Sequence, residues 1–390
     1  MKRTHHRTSL IGKPSAGLAA LPFMLLAFSG CPGANDSNDP YNPFQDLPPI
    51  EYSGRPIDLE SEIVPLGLLE EGQVLQIRVT GDYVQAVLIL AEDDEFEEAG
   101  RLAGGGPPDT SFLYRARIPA KYYLYVLFQR GVSEFFREAT AAVELGDETY
   151  SPPAAQPVRV HFDDDFIRGL HDPIDGTTDE LDFLDSISDE VRRQVIERLE
   201  SIFAGTPIEI LDAEDPVSGE DESTLRFRRD TRLADDEDVL DVFLPDPDDL
   251  HPECESPRVV FGRIVNSEGV SDMDVGNQNH ADAAEVFVGS FQGEGATCRT
   301  AVINSISTIV LGLSHTAAHE IGHLVGLFHV PLTDIMERSP TLAFQRELSF
   351  RRGQVLLDYQ LPRSNEIETT VLTTVYQDPD FYFQAAFGRP

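Results

Sequence analysis

Positive charge is what this chain has least of. Its 390 residues carry 30 Lys and Arg against 68 Asp and Glu, for a formal net charge of −38. The lysines are Lys2, Lys13 and Lys121 alone. So acidic a surface excludes a phosphate-neutralising face, so no nucleic acid partner is expected. It implies a soluble, self-repelling protein. Cysteine is nearly missing as well: Cys31, Cys254 and Cys298 exclude a disulfide-dense scaffold and leave room for a single bridge. Past residue 30 no apolar run is long enough to span a bilayer. Methionine is scarce too, and only Met273 and Met336 lie beyond the first 30 residues.

Those first residues read as an export leader. Lys2, Arg3, Arg7 and Lys13 form a positive n-region, and Ala16 to Phe28 is apolar but too short to cross a membrane. The stretch ends Ala27-Phe28-Ser29-Gly30-Cys31 and resembles the lipobox of bacterial lipoproteins, departing from the usual Leu at Phe28. The resemblance implies a signal peptide over 1–30 and a lipid on Cys31 that anchors the chain to a membrane of the cell envelope, periplasmic or surface-facing. A plain secretory signal, releasing a secreted protein, is the alternative. Loss of 1–30 removes four basic and no acidic residues, moving the charge from −38 to −42. With Cys31 lipidated, Cys254 and Cys298 remain as an even pair, either a disulfide or two unpaired thiols. Residues 31–49 are rich in Pro, Asn, Asp and Gly and read as a flexible tether.

The remaining pattern predicts an α+β chain of two domains. Residues 50–150 read as a small all-β sandwich of seven or eight strands: Val74 to Val79 alternates, Tyr83 to Leu90 is apolar, and Tyr122 to Phe128 is β-rich. A proline-bearing linker from Tyr150 to Gln156 leads into a second domain over 157–362. Strands are expected at Val158 to Phe162, Ile208 to Leu211, Thr224 to Phe227, Arg258 to Val265 and Ala284 to Val288. A helix capped by Ser188 carries Val191, Val195, Leu199 and Ile202 at helical spacing and ends at Gly205. A long helix is expected from about Thr300 to Val325, and a closing helix over Ser349 to Tyr359. The tail, 363–390, has a β-rich patch at Thr369 to Tyr376 and no assignment.

The chemistry lies in one stretch, His319-Glu320-Ile321-Gly322-His323-Leu324-Val325-Gly326-Leu327-Phe328-His329. On a helix His319 and His323 stand one turn apart on one face. That suits two ligands of a tetrahedral zinc. Glu320, about 100° further round, reaches a water there rather than the ion. His329 would point away on a continued helix, so the helix must end between, and Gly326 is the residue able to turn the chain. Three imidazoles leave a fourth position open, the arrangement of a catalytic zinc.

The pattern H-E-x-x-H-x-x-G-x-x-H resembles that of the metzincin clan of zinc metallopeptidases. The resemblance implies a twisted, mostly parallel sheet backed by helices, and an active-site helix above a small C-terminal subdomain. It also implies a methionine turn under the histidines, and Met336 falls seven residues after His329. Ordinary core filling is the plainer reading of Met336. In the clan an edge strand pairs with an extended substrate, and Val259 to Ile264 is the candidate. Arg338 stands where some members carry a Tyr, and Val330-Pro331 fits no well-known family within the clan.

Acidic loops separate the strands. Asp272, Asp274 and Asn277 could ligate calcium, although the spacing is not that of an EF-hand and a solvated loop explains it as well. His280 could serve a second, structural zinc, and His315, one turn before His319, reads as a supporting or surface residue. Two functions follow. One is an exported, membrane-anchored zinc endopeptidase acting on a protein or peptide substrate, with Glu320 as general base. The other is a surface-displayed binding lipoprotein on an inactive peptidase fold, against which an intact Glu320 argues.

Overall fold

The computed structural model describes residues 48–387 except 60, 93–99, 129–136, 172–176, 217–220, 231, 234–258, 261, 266–275, 292–304, 332–333, 338–345 and 361–366. The described residues all belong to the second of two units into which the chain divides, Asn42–Pro390. Among the described residues no helix is long and apolar enough to cross a membrane.

The second unit opens with eight strands: β1 (Ile57–Asp58), β2 (Ile63–Leu69), β3 (Val74–Thr80), β4 (Val84–Glu92), β5 (Gly100–Gly106), β6 (Ser111–Arg115), β7 (Ala120–Phe128) and β8 (Thr140–Leu145). One sheet has the order β1-β8-β3-β6; β5, β4, β7 and β2 lie side by side in another. In β3, Leu75, Ile77 and Val79 are buried while Arg78 is exposed, the period of a sheet with one covered face. β4 differs. Val87, Ile89 and Ala91 join the core shared with β3, whereas Leu88 and Leu90 join a second core with residues from beyond position 157. A strand covered on both sides reads as an unbroken apolar run. The elements on either side of 150–157 therefore share a core.

Next come β9 (Gln156–Phe162), α1 (Thr178–Ile202), β10 (Ile208–Asp212), β11 (Ser223–Arg228), a short pair β12 (Arg232–Leu233) and β13 (Val259–Val260), β14 (Gly262–Val265), β15 (Ala283–Phe287) and α2 (Ile306–Leu324). They build a five-stranded sheet, β10-β9-β11-β15-β14, parallel except for the antiparallel edge strand β14. Helix α1 corrects one expectation. Its cap, eleven residues before Ser188, is Thr177, whose hydroxyl accepts the Glu180 amide at 3.2 Å. Asp179 and Glu180 complement the helix dipole, and the buried stripe begins at Leu184 and Ile187, so Ser188 lies mid-helix.

The end of the chain corrects another. The expected helix over 349–359 is strand β16 (Gly353–Gln360), followed by β17 (Ile367–Gln377) and α3 (Pro379–Phe387). Val355, Leu356 and Leu357 are a short apolar run that no period resolves. What decides the conformation is an antiparallel partner, the Thr- and Val-rich β17. β17 then pairs in parallel with β5, Val375 opposite Gly100 and Tyr376 opposite Arg101. The larger sheet thus reads β16-β17-β5-β4-β7-β2, and the unassigned tail completes it.

Candidate metal centre

Helix α2 starts at Ser305, whose hydroxyl accepts the Thr308 amide at 3.3 Å. From Gly312 to Leu324 every residue is buried, the mark of an interior helix packed against β11, β14 and β15. Polar side chains are carried inside by it or just after it, four of them from the motif. His319, Glu320, His323 and His329 are 2, 0, 3 and 7% exposed. Polar groups at such depth are costly unless they are satisfied.

The helix closes on Gly326, left-handed at φ 89°. Gly326 N–H donates to the His323 carbonyl at 2.9 Å and Leu327 N–H to that of Gly322 at 2.8 Å, a Schellman closure. The chain turns back and His329 meets the two helical imidazoles. Its Nε2 lies 3.1 Å from that of His319 and 3.2 Å from that of His323, and the helical pair are 3.0 Å apart.

These contacts are not hydrogen bonds between the rings. His319 Nδ1 donates to the Ile335 carbonyl at 2.6 Å and His323 Nδ1 to that of Leu327 at 2.7 Å. Each neutral ring therefore keeps its proton on Nδ1 and presents an Nε2 lone pair to the common point. Burial, then the neighbouring His323 and His329, hold the His319 pKa well below its usual value. Converging lone pairs repel unless a cation sits among them. Zinc at about 2.0–2.1 Å from tetrahedral ligands would hold such nitrogens about 3.3–3.4 Å apart, close to the separations seen. The three histidines could hold a metal ion, and among the described residues they are the single group able to do so.

Two elements flank the triad. Edge strand β14 passes over Glu320 so closely that a Cβ on Gly262 would overlap its carboxylate. On the other side lies Met336, 1% exposed, so near Gly322 that a Cβ there would overlap its sulfur. The Val330 amide donates to the Met336 carbonyl at 3.0 Å, tying that turn to the segment carrying His329.

Sequence reasoning missed Asp334. Its Oδ1 accepts the Met336 amide at 3.0 Å, a local Asx-type contact that the spacing Asp-x-Met could have signalled. The carboxyl is 1% exposed, and burial pushes it up to about 6 despite the amide hydrogens it accepts. A raised carboxyl favours folding while protonated and loses that advantage as pH rises through about 6. Asp334→Asn keeps the acceptor and removes the charge. The metal-free variant is expected to be more stable than wild type at pH 8 by on the order of 2 kcal/mol, with no difference at pH 4. Thermal unfolding at both values checks this; a pH-independent difference would contradict it.

Gln377 and Tyr382 were missed too, and no local signal reveals them. Gln377, fully buried, accepts the Phe328 amide at 2.6 Å and donates to the Phe328 carbonyl at 2.9 Å. The Tyr382 hydroxyl donates to the Val325 carbonyl at 2.7 Å. His315, 2% exposed, receives the Leu348 amide on Nε2 at 3.3 Å, one turn from the triad.

The other candidates do not gather. Asn277 is 5% exposed and left-handed at φ 51°, and its amide donates to Gln156 Oε1 at 3.2 Å rather than facing an open loop. Asp272 and Asp274 lie outside the described residues, as do Cys31, Cys254, Cys298 and Arg338. Among the described residues His280 belongs to no metal-capable group, and its Nδ1 rests 3.2 Å from Gln156 Oε1.

No protein-family model matches the chain, and no curated protein matches it. Among solved structures, one described as "IMPa metallopeptidase in complex with T-antigen" is similar over 46% of this chain and 27% of its own, at 12% identity and a TM-score of 0.16. The chain thus spans about a quarter of that protein.

Proposed function

We propose that this chain is a zinc-dependent endopeptidase of the metzincin type, exported and held at a membrane through lipid on Cys31. One observation carries the catalytic reading: three Nε2 atoms converge within 3.2 Å of one another beside a fully buried glutamate. His319, His323 and His329 would hold the ion, with Met336 as the floor beneath the helix. When bound, zinc supplies a Lewis acid that polarises a carbonyl and acidifies water. Glu320 takes the proton from the attacking water and passes it to the leaving amine. His319 and His323 keep their Nδ1 protons on backbone carbonyls, which fixes both rings and keeps Nε2 basic. An extended substrate adds to β14, an edge strand whose Gly262 packs against Glu320.

The test uses the purified chain with metal analysis and a peptide library. One zinc per chain is expected, with cleavage lost to a chelator and restored by zinc. A chain that holds one zinc and cuts nothing would favour the binding lipoprotein. One that holds no zinc would end the peptidase reading.

A further inference from the structure

His319 and His323 ride on a helix that fixes their backbone. His329 does not. It sits on a strap, 325–330, where regular structure is limited to one isolated bridge to β16. Holding an imidazole to a few tenths of an ångström there requires a clamped backbone. Besides the bonds that close the helix and the Val330–Met336 bond, three clamps hold it, and these three come from the last 38 residues. The Leu356 amide donates to the His329 carbonyl at 2.8 Å. The Gln377 side chain bonds both polar groups of Phe328, and the Tyr382 hydroxyl bonds Val325, next to the turn.

Gln377 is the telling one. A primary amide offers an acceptor and a donor side by side, so it can pair with a peptide unit as a neighbouring strand would. A hydrocarbon offers neither, and an ionised carboxylate lacks the donor. We propose that Gln377, seconded by Tyr382, is a positioning residue for the third metal ligand, which makes the C-terminal segment part of the metal centre. The inference rests on the triad being a metal site. It also gives the β-sandwich a mechanical role. Gln377 is the last residue of β17, two positions after the Val375–Gly100 pair, so the sheet that sets its register belongs to the sandwich.

The experiment measures zinc affinity of the full chain by competition with a chromogenic chelator. Gln377→Ala is expected to weaken it 10–100-fold, the range for groups that orient metal ligands. Gln377→Glu, the same size but without the donor, should weaken it similarly at pH 8. Tyr382→Phe, which keeps the ring, should weaken it several-fold. Phe381→Ala removes a ring from the other side of α3, where Arg101 lies 4.3 Å above it. That variant should lower the melting temperature and leave zinc affinity unchanged. His329→Ala controls for the underlying reading. If it binds zinc like wild type, the metal site itself is wrong. If it loses zinc while both Gln377→Glu and Tyr382→Phe keep wild-type affinity, the site stands and the positioning role falls. Equal losses in Phe381→Ala and Gln377→Glu would reduce the effect to general destabilisation and overturn it. Should Gln377→Ala not fold, Gln377→Glu and Tyr382→Phe carry the measurement.

Discussion

Glu320→Gln is expected to keep zinc affinity within about threefold of wild type and to lower kcat/KM on a peptide substrate about 10³-fold. The substitution is isosteric, so the fully buried site beneath β14 keeps its packing. The amide has no basicity near neutral pH and cannot take a proton from water. The metal-capable group comprises the three imidazoles and not Glu320, so the ion should not notice the change. Chelator competition and cleavage kinetics on one preparation separate the two effects. Unchanged turnover would remove Glu320 from the mechanism. Lost zinc would instead make it a ligand or a support for one.

How much of this was legible depends on how far apart the interacting residues lie. The histidines at 319 and 323 and the turn at Gly326 follow from helical spacing and from the left-handed conformation glycine tolerates. Both rules act within a few residues. Strands β9, β10, β11 and β15 were readable within a residue or two from β-rich runs bounded by turn residues. Helix α1 showed its stripe but not its start, because Ser188 and Thr177 both suit a cap and only tertiary packing extends the stripe back to Leu184. β16 was misread because its partner β17 lies beyond an intervening loop. Gln377 reaches Phe328 across 49 positions and Tyr382 reaches Val325 across 57, distances at which sequence pattern carries no information without a fold. The functional centre was therefore readable where one helix builds it, and hidden where the rest of the chain braces it.

Gly262→Ala should be the second most damaging change, although the residue carries no functional group. β14 is the edge of its sheet, with Gly262 opposite Val286 of β15. An added methyl would run into the Oε1, Cδ and Cγ atoms of Glu320 together, so a terminal rotation of the carboxylate does not relieve it. Either the side chain leaves its rotamer or the strand lifts. Displacement of a reacting group by about 1 Å costs on the order of 10²-fold in rate, and kcat/KM is expected to fall by about that factor. Zinc affinity should hold, because Gly262 belongs neither to α2 nor to the strap that carries His329. The split of kinetic constants tells which element yields. A loss in kcat alone puts the displacement on Glu320. A rise in KM with it means that β14 has moved away from the peptide it pairs with. Wild-type kinetics in this variant would show that edge strand and carboxylate do not work at such close quarters, and the docking geometry proposed for the substrate would fail with them.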